Sequence, residues 1–264
     1  MTPQRHSSSP SSMGELRSVT QPPSVTQRGA QETWAAQLYM RRLSPYFTRL
    51  VLATPLTPNA VTALMIPVGL AAGLVLTVPG ILAAAGAVAL AQLQVLLDCS
   101  DGEVARWRST YSPRGIYLDQ VAHYVTEAAI PAGLGVRAAG GWGSIDGWTS
   151  LGLLVALLVL VLKAETHLAG IARLRAGRPP VLDEAGEATE TRGRLRLRDG
   201  IRLLPAVRPF QAVEASLLAL AAAIGDAAAG GLLGTKVLLV VLAGAAIVAV
   251  LGHGASVLAS DRLK

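Results

Sequence analysis

Apolar and polar positions are sorted into long blocks along this chain. Six apolar stretches, at about 59–78, 80–99, 115–136, 148–172, 211–230 and 234–258, each approach the length of roughly 20 residues that spans the hydrocarbon core of a bilayer. Short punctuation separates them. Val78-Pro79-Gly80 marks a tight turn, residues 137–147 (RAAGGWGSIDG) a glycine-rich loop, and Gly230 to Thr235 another short turn. Residues 100–114 and 173–209 are the polar connections. Before the first stretch, residues 32–52 mix apolar positions with Arg41, Arg42 and Arg49, the pattern of an amphipathic helix lying in the membrane surface, broken near Pro45. Residues 1–30 are rich in Ser, Pro, Gln and Thr without an apolar period and read as a disordered tail. They lack the apolar core of a signal peptide, so an N-terminus that stays in the cytoplasm is expected. The pattern predicts an all-α integral membrane protein. It has a tail at 1–30, an interfacial amphipathic segment at 31–56 and a membrane domain of six transmembrane helices at 57–260.

Composition narrows the classes. Of 264 residues 52% are hydrophobic and only 15% charged, against roughly 25% in an ordinary soluble domain. Cys99 stands alone, which excludes a disulfide scaffold and zinc-finger spacing. Of the 23 basic residues 20 are Arg, which with abundant Ala, Gly and Leu points to a GC-rich, bacterial coding bias and not to function. With the N-terminus placed in the cytoplasm, 20 of the 23 basic residues fall in cytoplasmic segments. Arg137, Lys163 and Lys236 are the exceptions. This positive-inside bias predicts a multi-pass cell-membrane protein with both termini cytoplasmic. The basic run Arg192, Arg194, Arg196, Arg198 and Arg202 suits anionic lipid headgroups. Nucleic acid is not expected as a partner, because no aromatic residues are interleaved with it.

One region breaks the apolar pattern: LLDCSDGEVARWRSTYSPRGIYLDQVAHYVTEA, residues 96–128. Asp98, Asp101, Gly102 and Ala105 are spaced i, i+3, i+4 and i+7, and Gly115, Asp119, His123 and Glu127 by fours, so each set forms one helical stripe. Carboxylates at membrane depth are costly without an ion or partner. Asp98, Asp101 and Asp119 have no nearby Lys, and an oxygen-ligated divalent cation, Mg²⁺ or Mn²⁺, answers that need. Gly102, Ala105 and Gly115 leave room for a ligand against the backbone. Arg106 offers a planar fork to a phosphate.

The run Asp98-x2-Asp101-Gly102-x2-Ala105-Arg106-x8-Gly115-x3-Asp119-x3-His123 resembles the signature of the CDP-alcohol phosphotransferases, D-x2-D-G-x2-A-R-x8-G-x3-D-x3-D. All eight fixed positions match in spacing, and seven of the eight in identity. Thr57-Pro58-Asn59-Ala60-Val61-Thr62 at the first span also looks like this family, and the likeness extends over roughly residues 32–258. The resemblance implies transfer of a phosphatidyl-type group from a CDP-linked donor such as CDP-diacylglycerol to an alcohol acceptor, with release of CMP, in phospholipid biosynthesis. It implies two divalent ions held by Asp98, Asp101 and Asp119. It implies a CDP cradle of Gly102, Ala105, Arg106 and Gly115, with Asn59 and Thr62 at the same substrate site, and a homodimer. Arg173 and Arg175 have two readings: an acceptor-phosphate contact, as in members with phosphorylated acceptors, or positive-inside anchoring.

The departure is His123, where the family has the Asp that serves as general base. Three readings stand. His123 is itself the catalytic base, oriented by Glu127; the site binds CDP-lipid but is impaired; or the change marks an unusual acceptor. Lys163, Glu165 and His167 either line an acceptor pocket or pair with neighbouring helices. Asp226 and His253 read as structural or interfacial rather than catalytic. Outside the enzyme class, a CDP-lipid-binding membrane protein and a transporter using intramembrane carboxylates remain, the latter disfavoured by the eight-position signature.

Overall fold

The computed structural model describes residues 10–26, 34–177 and 208–259. The described chain is helical, with no strand among the described residues. In order come α1 (Met13–Thr20), α2 (Pro23–Thr26), a π-helical turn (Ala36–Met40), α3 (Arg41–Leu52), α4 (Pro58–Leu76), α5 (Ile81–Arg108), α6 (Pro113–Ala138), α7 (Gly147–Arg175), a 3₁₀ turn (Arg208–Phe210), α8 (Ala212–Ala229) and α9 (Leu233–Ala259).

Each expected apolar stretch falls on one helix. Five of them, α4, α5, α7, α8 and α9, are long and apolar enough to cross a membrane. Between 28 and 39% of each apolar window is buried, so most of the apolar surface faces outward, as lipid contact requires. The sixth expected span is α6, whose 26 residues suffice in length. Asp119, His123, Glu127 and Arg137 interrupt its apolar run, and it is not among the five.

Three expectations are corrected. Residues 10–26, expected to be disordered, contain α1 and α2, with Leu16 and Thr20 fully buried. The expected polar loop 100–114 is mostly helix, because α5 continues to Arg108 and only four residues separate it from α6. Pro45 does not break its helix but lies inside α3. A proline removes the donor that would reach the carbonyl four residues back. Here that carbonyl, on Arg41, accepts from the Gln21 side-chain amide at 2.7 Å.

The chain forms two compact units. The first comprises Met1–Leu70 and Ala89–Val125, the second Ala71–Val88 and Thr126–Lys264. The first packs Val51, Val61, Met65, Leu97, Val104 and Ala122 into one apolar cluster. Its α3 is turned inside out relative to a soluble helix. Ser44 and Thr48 are buried, whereas Leu43, Tyr46 and Leu50 are more than half exposed. The buried hydroxyls serve Glu103, a fully buried carboxylate on α5: Ser44 Oγ donates to its Oε1 at 2.5 Å and Thr48 Oγ1 to its Oε2 at 2.7 Å.

In the second unit, glycines let helices touch backbone to backbone, the usual substitute for hydrophobic driving force between helices in lipid. A Cβ on Gly152 would lie 2.5 Å from the Gly135 Cα and 2.7 Å from the Pro131 carbonyl oxygen. The three basic residues that depart from the positive-inside pattern all have partners here. Arg137 is 1% exposed and donates to the carbonyls of Val78 and Gly80 at 2.9 and 3.1 Å and to Thr235 Oγ1. Lys163 pairs with Glu127 at 3.0 Å, and Lys236 sits 5.3 Å from the centre of the Trp148 ring. Asp226 closes the α8–α9 turn by accepting from the Thr235 backbone N–H and hydroxyl, the structural role expected of it.

Gly152→Val should therefore destabilise the protein by about 1–3 kcal/mol or more through overpacking. Gly244→Ala, where a Cβ meets nothing within 4 Å, should leave stability unchanged or raise it by up to about 1 kcal/mol. Thermal unfolding of the two variants in detergent checks the contrast.

Candidate functional site

The site lies within the first unit, where local capping chemistry brings three helix ends together. Helix α4 opens on Thr57-Pro58: the Thr57 hydroxyl accepts from the Ala60 N–H at 3.2 Å, and proline at the first helical position sacrifices no bond. Helix α6 opens in the same way on Ser112-Pro113, with Ser112 Oγ accepting from the Gly115 N–H at 3.0 Å. Between them α5 ends at Ser109, which takes a left-handed φ of 50°, while the Thr110 N–H bonds back to the Ala105 carbonyl at 3.0 Å. Arg108 fastens the entry to α4 by donating to the carbonyls of Leu56 and Thr54. Two helix N-termini thus face one cleft and favour negative charge in it.

The cleft encloses about 360 Å³. Of the residues singled out in the sequence, Asn59, Thr62, Asp98, Asp101, Gly102, Ala105, Arg106, Gly115 and Asp119 all line it. Two of the cleft's glycines leave room for neighbouring side chains. A Cβ at Gly115 would come within 2.8 Å of Asn59 Oδ1, which itself accepts from Ser112 Oγ at 3.1 Å. A Cβ at Gly102 would press on the Arg106 guanidinium at 3.2 Å.

His123 meets the two carboxylates at its edge. Its Nε2 lies 3.6 Å from Asp98 Oδ1 and 3.4 Å from Asp119 Oδ1, each side chain about one third exposed. Asp98, Asp119 and His123 can bring one ligand atom apiece within 4.8 Å of one another. Two donors to one first-row divalent ion at roughly 2.1 Å stand about 3.0–3.4 Å apart, close to these separations. Asp119 Oδ1 is a buried oxygen without a hydrogen-bond partner, as a ligand atom would be. The residues therefore fit a divalent metal. The grouping differs from the expected ligand set in one member. Asp101 lies in the same cleft, but its Oδ2 accepts from the Thr62 hydroxyl at 2.5 Å, and His123 joins Asp98 and Asp119.

Other expectations sit elsewhere. Glu127, expected to orient His123, is engaged by Lys163 in the second unit. His167 Nδ1 lies 3.0 Å from the Lys163 carbonyl, and Thr166 Oγ1 lies 3.1 Å from His253 Nε2. Arg173 belongs to the last turn of α7, also in the second unit. The basic run Arg192–Arg202 lies outside the described residues. Sequence reasoning missed Arg41, Thr110, Tyr111 and Ser112 as cleft residues, and Cys99, which is buried and contributes to the lining although its helical position is off the Asp98–Asp101 stripe. Only Ser112 carried a local signal, as a Ser-Pro pair opening a helix.

A search of curated proteins returns no match. The family model for CDP-alcohol phosphatidyltransferase matches residues 55–188. That match covers just over half of the chain and takes in the facing stripes of α5 and α6 together with the start of α4, so the chain belongs to the CDP-alcohol phosphatidyltransferase family.

Proposed function

We propose that the protein transfers a phosphatidyl-type group from a CDP-linked donor, with CDP-diacylglycerol as the lead candidate, to an alcohol acceptor, releasing CMP in phospholipid biosynthesis. The observation that carries this reading is the convergence of Asp98, Asp101, Asp119 and Arg106 on one cleft flanked by two helix N-termini, with His123 against Asp98 and Asp119 at its edge. Asp98, Asp101 and Asp119 would hold Mg²⁺ or Mn²⁺, which would supply charge neutralisation on the diphosphate, with His123 kept off the metal as the base. Arg106 binds a donor phosphate, and Gly102, Ala105 and Gly115 let the CDP group approach the backbone. Asn59 and Thr62 hold the opposite side of the cleft, Thr62 through Asp101.

In this reading the acceptor oxygen forms a bond to the phosphorus that carries the lipid alcohol. The bond from that phosphorus to the bridging oxygen breaks, and the bridging oxygen leaves with CMP. The hydroxyl proton passes to the His123 imidazole, whose cationic form Asp98 and Asp119 stabilise at 3.6 and 3.4 Å. Arg173 would serve a phosphorylated acceptor.

The same reading places the protein in the cell membrane with both termini cytoplasmic. Helix α6 is then a sixth span, made tolerable by water and ions at its charged end. Helix α3 lies in the interface with Leu43, Tyr46 and Leu50 toward lipid. The membrane domain runs over 57–260, the basic run meets anionic headgroups, and the protein is a homodimer.

CMP release from CDP-diacylglycerol by the purified protein tests the function, run across glycerol phosphate, inositol phosphate, inositol, serine and other unphosphorylated alcohols. Metal-dependent CMP release with one of them is the expected result. Tight metal-dependent CDP binding without CMP from any acceptor would establish the binding-protein reading that the His123 substitution raises. Chelation should abolish turnover, and added Mn²⁺ or Mg²⁺ should restore it. His123→Ala should lower turnover by about 10²–10⁴-fold while changing CDP-lipid affinity far less. Undiminished turnover in that variant would sink the general-base assignment.

A further inference from the structure

The cleft has a wall that the family-matched segment does not supply. Arg41 lines it from α3, 14 residues before the match begins. Its side chain is 15% exposed, and its terminal nitrogen lies 3.8 Å from Glu103 Oε1. Arg106 lines the same cleft, with its terminal nitrogens packed over Gly102.

Two consecutive residues of the N-terminal segment connect to these arginines. The Thr20 carbonyl accepts from Arg106 Nε at 2.5 Å. The Gln21 side-chain amide donates to the Arg41 carbonyl at 2.7 Å and to Glu103 Oε1 at 2.8 Å. Thr20 is fully buried at the end of α1. Glu103 is fully buried as well, and its hydrogen bonds to Gln21, Ser44 and Thr48 make it an anchor between helices instead of a metal ligand.

A guanidinium binds phosphate through a planar fork, so its orientation decides how much it contributes. A long side chain already held in place loses less entropy when the ligand arrives. Fixing Arg106 at Nε directs its remaining fork, and fixing the Arg41 backbone sets where its side chain enters the cleft. The geometry points to Thr20 and Gln21 as a latch that positions Arg106 and Arg41, and to Arg41 as a second guanidinium that contacts a phosphate of the CDP-linked donor. This assignment rests on the donor reading of the cleft and adds to it a residue that the signature does not contain.

The test uses the full-length protein in detergent or nanodiscs, with CDP and Mn²⁺ as the probes. CDP affinity is read by calorimetry, Mn²⁺ affinity by electron paramagnetic resonance, and KM and kcat by CMP release from CDP-diacylglycerol. Arg41→Ala should weaken CDP binding about tenfold or more, and Arg41→Lys should recover only part of the loss. Gln21→Ala should raise the donor KM several-fold, more than it lowers kcat, and leave Mn²⁺ binding as in the wild type. Combined with Arg41→Ala, its effect should be less than additive. Wild-type CDP affinity in Arg41→Ala overturns the proposal, as does an equal loss of CDP and Mn²⁺ binding in Gln21→Ala, the mark of a merely structural residue. Should the wild type bind no CDP, the donor reading falls and this assignment with it. CDP binding by the wild type that Arg41→Ala leaves intact defeats this assignment alone.

Discussion

A charged side chain buried among apolar helices must find donors, a counter-charge or an ion, and the internal order of each unit follows from how that requirement is met. The two units meet it differently. In the second, Arg137 gives its donors to turn carbonyls and a threonine, Lys163 takes Glu127, and Asp226 caps the turn between α8 and α9. These three groups are satisfied by protein. In the first unit Asp98, Asp119 and His123 crowd together at an open cleft, where three ligand atoms share one small space. Asp98 and Asp119 meet His123 only at 3.4 to 3.6 Å, a spacing that suits an ion between them better than direct hydrogen bonds do.

Much of the site was legible in the sequence because it is written at helical spacing. The stripes Asp98–Ala105 and Gly115–His123 needed only the helix period to be placed on single faces, and nine of the residues singled out line one cleft. The six helices were legible for the same reason: an apolar run of membrane length has few other solutions. Where charge interrupts the run, as in α6, the helix persists although its composition does not mark a span, because a helix satisfies its backbone whatever its side chains are.

What stayed hidden depends on contacts distant in sequence. Residues 13–21 carry no apolar period, and their order comes from partners 20 to 86 positions away: Arg41, Glu103 and Arg106. Glu103 occupies a variable position of the signature, and its hydrogen bonds to Gln21, Ser44 and Thr48 make it a structural tie. Arg137, Lys163 and Lys236 are the exceptions to the positive-inside count. Their partners show that a basic residue consumed by a carbonyl, a carboxylate or an aromatic ring carries little topological information. Counting charges reads topology; locating their partners separates it from architecture.

The substitution at 123 can be followed through the same constraint. An aspartate there would add a third carboxylate to the same cluster. Two like unit charges about 4 Å apart cost about 4 kcal/mol at an effective dielectric of about 20, and less where solvent reaches the pair. With only carboxylates, the cluster would depend on bound cations for its integrity. An imidazole changes that dependence. It adds no negative charge when neutral, offers nitrogen to a metal, and supplies a positive charge between Asp98 and Asp119 when it holds a proton. The histidine thus relaxes the electrostatic demand for ions while retaining a group able to accept a proton. Its chemistry remains compatible with the signature even though its residue type is not.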